Sequence, residues 1–188
     1  DPTHRDAALG WLRRRESPTI VMEITQLAAT DLLPLDAMAV LRQVASIAPP
    51  LSGAYMVLAA RSTEAVVSGY YELLASDTHP SQRRELIASL TMATDLSEAR
   101  AAVELALSAD RSSLVRVQAM LTLSALAPDT GEVACNQILD HPETGRDPES
   151  LAIVVFALGN LEAAGMVNAV KRLGQRLQTR PLGRASQT

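Results

Sequence analysis

The sequence predicts an all-α fold in which short helices pair antiparallel and the pairs stack side by side. Three observations predict it. Strand signals are nearly absent: no Asn-Gly or Asp-Gly turn joins alternating runs, and aromatics make up 3% of the chain. Helix formers dominate, with 30 Ala and 27 Leu among 188 residues. The punctuation of caps and prolines recurs at near-regular intervals.

Eleven helices follow, near 5–15, 18–29, 35–47, 51–61, 63–75, 80–93, 96–109, 111–126, 130–140, 148–160 and 163–178. Ser17-Pro18 and Asp147-Pro148 each read as an N-cap followed by proline at the first helical position, where a missing N–H costs nothing. Pro34, Pro50 and Pro80 mark further starts. Asp95 with Glu98, and Asp129 with Glu132, have capping-box spacing. Over 96–109 the apolar stripe is Leu96, Ala99, Val103, Ala106 and Leu107, with Arg100 and Glu104 outside it. Over 111–126 it runs through Leu114, Val117, Met120 or Leu121, and Ser124 or Ala125. Linkers are short, so neighbouring helices run roughly antiparallel. After the leading helix, pairs begin near 18, 51, 80, 111 and 148. One pair cannot bury both faces of its helices, whereas stacked pairs share a continuous core.

Leu114-Val115-Arg116 with Ala119, Leu123 and Leu126, entered from Asp110, resembles the first helix of a HEAT-type repeat. Ala157-Leu158-Gly159-Asn160-Leu161, entered from Asp147-Pro148, resembles the end of the same helix in short HEAT-like repeats. The next helix, with Val167, Val170 and Leu173, is similar to the second. The resemblance is clearest over 80–178, and Ala152-Ile153 stands where Val115-Arg116 stands one unit earlier. It implies a right-handed α-α superhelix of about five helix pairs plus a leading helix, spanning 1–178, with 179–188 as a flexible basic tail. It implies a binding habit and no activity. The competing architecture is a compact helical-bundle regulator, which needs a basic N-terminal helix-turn-helix. Arg13, Arg14 and Arg15 are present, but Pro18 interrupts the pair.

The formal charge is −4, spread unevenly. Residues 171–188 carry +5 and residues 1–17 carry +1, leaving −10 over 18–170. An acidic body argues against a nucleic-acid partner, because phosphate contacts need clustered Lys and Arg. The basic end reads as cations at a helix C-terminus. No apolar run approaches the ~18–20 residues of a membrane span. Asp1 rather than Met opens the numbering, so the chain reads as trimmed, processed or part of a larger protein. The compartment stays open, with the cytoplasm as the default expectation.

Residues with chemical potential read as structural. His4, His79 and His141 lack zinc-ligand spacing, so no metal is expected. Cys135 has no obligatory base, since His141 lies across a helix end. No Gly-x-Ser-x-Gly elbow or phosphate-loop glycine spacing occurs, and no cofactor is expected. Gly159 and Gly165 are read as flanking a helix turn. Asp147 and Glu149 read as acids at a helix start, and Glu98 and Glu104 as a solvated face. Of Tyr70-Tyr71, one ring points inward and the other outward. Trp11, beside Leu9 and Leu12, is placed to cap an open end of the stack.

The function expected is a non-catalytic scaffold holding a protein or peptide on a concave face lined by the second helix of each pair. Residues off the apolar stripes define that face: Arg42, Glu72, Arg100, Glu104, Gln137, Asn168 and Arg172, with Tyr70 as an aromatic anchor. A homodimer through one end of the stack is a further expectation. The alternative is a HEAT-like enzyme, or a small-ligand or nucleic-acid binder. Its base-acting form needs a basic groove with stacking aromatics, and the chain holds one Trp and one Phe.

Overall fold

The computed structural model describes residues 52–77 and 79–179. The predicted helices over 5–47, together with Trp11, Arg42 and the basic tail beyond residue 179, lie outside the described residues. Among the described residues there are eight α-helices and no strand. They are α1 (Ser52–Arg61), α2 (Thr63–Ala75), α3 (Pro80–Ser89), α4 (Leu96–Ala109), α5 (Ser113–Leu126), α6 (Pro128–Asp140), α7 (Pro148–Ala163) and α8 (Val167–Gln178). Two 3₁₀ turns, Leu90–Met92 and Thr144–Arg146, sit in the longer connections.

The caps explain where helices begin. Asp95 accepts from the N–H groups of Ser97 and Glu98, fixing the start of α4. Asp147 accepts from the N–H and the hydroxyl of Ser150, and Pro148 takes the first helical position of α7. Pro80 opens α3 as its punctuation predicts. The Asp129–Glu132 spacing misplaces its helix. Ala127 is the N-cap of α6 and Pro128 its first residue, so α6 follows α5 after a single residue. That tight link presses α6 onto α5: a Cβ built on Gly131 would stand 2.5 Å from the Ser124 Cα. The positive φ of Gly165, +78°, lets α7 turn into α8. Gly159, by contrast, lies within α7 rather than at its end.

Consecutive helices pack on one another, and α1, α3, α5 and α7 also pack in succession, α1 on α3, α3 on α5 and α5 on α7. Among the described residues no substantial packing joins α1 to α5 or α3 to α7. Specific side chains tie the succession. Thr122 donates to the Ile87 carbonyl, joining α5 to α3, and Asn160 donates to the Ser124 hydroxyl, joining α7 to α5. The Thr63 hydroxyl accepts from the backbone of Thr94 and Asp95, joining α2 to the entry of α4.

Helix α5 is the centre of the core. Its sequence reads as one stripe, yet Val115, Val117, Ala119, Met120, Thr122, Leu123 and Ser124 are all buried. Neighbours on several sides enclose it, namely α3, α4, α6 and α7, which a single-face reading does not anticipate. Helix α4 follows its stripe except at its first residue. Ala99, Ala102, Val103 and Ala106 are buried, while Leu96 is exposed because it precedes the first full turn.

Candidate interaction surface

The most enclosed polar cluster is structural. Arg83, on α3, is 2% exposed and grips the fully buried Asp110 carboxylate with two hydrogen bonds of 2.8 and 2.9 Å. The Tyr70 hydroxyl donates to Asp110 Oδ2 at 3.1 Å, and the Ser112 N–H donates to Oδ1 at 2.9 Å. Arg116 donates to the Asp110 carbonyl. Asp77 extends the cluster to the surface through Arg83 and Arg111. Burial and the adjacent Asp110 charge push the Tyr70 phenol up, so it stays a donor. The bidentate hydrogen bond to Asp110 holds the Arg83 guanidinium above its ordinary range. Helices α2 and α3 and the α4–α5 corner are thereby locked together. No buried side-chain nitrogen or oxygen among the described residues lacks a partner.

This corrects the placement of Tyr70. It is the inward ring of the pair, fully buried and committed to Asp110, so it offers no surface contact. Tyr71 is the outward one. The spacing held the signal that tells the rings apart: Tyr70 lies three or four residues from Val66, Val67, Leu73 and Leu74, and Tyr71 from only two of them.

The other described candidates are exposed and fall on successive second helices: Glu72 on α2, Arg100 on α4, Gln137 on α6, Asn168 and Arg172 on α8. Glu104, on α4, is partly exposed. Arg100 holds Glu104 at 2.7 Å one turn along and also donates to Thr130 of α6. Arg172 reaches Glu132 of α6 at 2.6 Å, and Arg176 donates to Asn136 and Asp140 of the same helix. Charged side chains therefore stitch α4 to α6 and α6 to α8 along one surface. Exposed apolar residues stand on the same helices: Tyr71, Leu105, Val133 and Val167. Between α6 and α8 lies an open cleft of about 190 Å³, lined by Glu132, Met166, Val167, Asn168 and Arg172 among others. Two of the sequence-predicted residues, Asn168 and Arg172, thus share one concavity. Glu132 was missed as a site residue because capping-box spacing assigned it to a helix start.

Cys135 is buried and meets the Met120 sulfur at 3.3 Å. Burial pushes its thiol up to about 12. His141 instead accepts from the Glu143 N–H at the end of α6. Hydrogen bonds from Ser150 hold the Asp147 carboxyl below its ordinary range. Among the described residues no three His, Cys, Asp or Glu side chains gather as a metal site, and no helix is long and apolar enough to cross a membrane. No protein-family model, curated protein or solved structure matches the chain significantly.

Proposed function

We propose that this chain is a HEAT-like α-solenoid that acts as a non-catalytic scaffold, holding a protein or peptide partner on the surface formed by its second helices. Packing that passes from α1 to α3 to α5 to α7, with each helix touching its neighbours in the succession, supports the stacked reading. The observation that carries the binding reading is the run of Glu72, Arg100, Gln137, Asn168 and Arg172 on four successive second helices, which also carry the exposed apolar residues Tyr71, Leu105, Val133 and Val167. Mixed charge with apolar anchors suits a folded or extended polypeptide better than a polyanion. The cleft beside Arg172 gives such a partner a recess for one side chain.

Two measurements test this. Solution scattering is expected to give a radius of gyration above the ~16 Å of a compact globule of this length; a value at that figure ends the stacked reading. Crosslinking at native concentration is expected to recover a partner that R100E and R172E together release. A partner retained by that double variant, or none recovered, ends the binding reading.

A further inference from the structure

Helix α8 is fastened differently from the helices that precede it. Of its 12 residues only Ala169 and Leu173 are buried, fewer than in any of α2 to α7. It packs on α7 and, through a thinner contact, on α6. The open cleft of about 190 Å³ separates its first turn from Glu132 of α6. Nothing stands within 4 Å of a Cβ built on Gly174, so the middle of the helix is loosely backed.

Charge supplies what the apolar contact lacks. Glu132, Asn136 and Asp140 recur every four residues along α6 and so share one face. Arg172 and Arg176 stand four apart on α8. Arg172 donates to Glu132 at 2.6 Å, and Arg176 donates to Asn136 and Asp140. Both ion pairs reach solvent, where water and salt compete for them. The joint to α7 is Gly165, whose left-handed backbone turns the chain back between the two helices.

We infer that α8 is a detachable arm: it swings about Gly165 while α1 to α7 stay folded, and the Arg172–Glu132 and Arg176–Asp140 pairs are its clasp. Releasing α8 uncovers two buried side chains and breaks exposed ion pairs. Releasing α6 uncovers Ala134, Cys135, Ile138 and Leu139 together. The element with the least apolar burial opens first. Opening dissolves the cleft, withdraws Asn168 and Arg172 from the surface, and leaves Glu132 and Asp140 without their arginines. The clasp thereby regulates the candidate surface, a consequence that rests on the proposed binding reading; the arm itself does not.

Hydrogen exchange of the full chain, followed by mass spectrometry with no partner present, tests the inference. At low salt the α8 amides are expected to exchange about tenfold or more faster than those of α6 and α7. Raising NaCl from ~0.05 M to ~1 M cuts the screening length to about 3 Å and is expected to speed α8 about fivefold further, with α6 and α7 unchanged. R172E and E132R are each expected to do the same at low salt. The swap E132R/R172E is expected to restore wild-type exchange, which a mere loss of packing would not allow. G165A must hold a positive φ when α8 is docked, so it is expected to open α8 with helical circular dichroism unchanged. An α8 as protected as α7 overturns the inference, as does release of α6 and α7 along with it. So does an α8 indifferent to salt and to both single reversals, or a swap that exchanges like the single variants. All of these are read on the chain alone, so failure to recover a partner leaves the arm standing.

Discussion

Two arginine–carboxylate contacts in this protein have nearly the same length and different worth. Arg83 meets Asp110 at 2.8 Å inside the protein; Arg172 meets Glu132 at 2.6 Å on its surface. The first has lost water on both sides and must satisfy every lone pair from within, which Tyr70 and Ser112 help it do. The second keeps water around Arg172, and salt screens it. Distance alone does not rank ion pairs. What would remain exposed or buried after one partner is removed does.

Breaking the inner pair has the largest expected effect. Arg83→Ala strands a buried carboxylate, and chemical denaturation is expected to show a loss of about 3–5 kcal/mol. Tyr70→Phe removes one donor from the same carboxylate while keeping the ring, with an expected loss of about 1.5–3 kcal/mol by the same measurement. Asp147→Ala, an exposed carboxylate acting as a cap, is expected to cost about 1 kcal/mol. Its pH signature has a definite sign. The folded carboxyl is held below its ordinary range, so its contribution is complete above the unfolded pKa of ~3.9. That contribution disappears as acid carries the pH down through the folded value. Wild type and Asp147→Ala are therefore expected to converge in melting temperature at low pH. Arg172→Ala is expected to cost less than ~1 kcal/mol, and adding salt to the wild type is expected to erase even that. Equal losses for Arg83→Ala and Arg172→Ala would break the comparison.

Local punctuation was legible from residue types, because a cap acts within three residues of itself. Asp95, Pro80 and Asp147 all mark helix starts as read. Asp129 misled because Pro128, one residue earlier, takes the first helical position and draws the helix start back to Ala127. The many-sided burial of α5 and the partnership of Arg83 with Asp110 were not legible. Arg83 and Asp110 stand 27 residues apart, and α5 is enclosed by α3 and α7 as well as by its chain neighbours; no periodicity encodes such meetings across the core. The exposure of Glu72, Arg100, Gln137, Asn168 and Arg172 was legible, since a polar residue off an apolar stripe is exposed by default. Tyr70 is the exception, its amphipathic ring being suited to either side.

The near-contact of Gly131 with Ser124 has a kinetic consequence. The α5–α6 hairpin is closed by one connecting residue, so bringing its two helices together demands little loop-closure entropy. It also contains the helix enclosed on the most sides. Amide protons in the middle of α5 should therefore be the last to exchange with deuterium, while those of α8 open through brief local excursions.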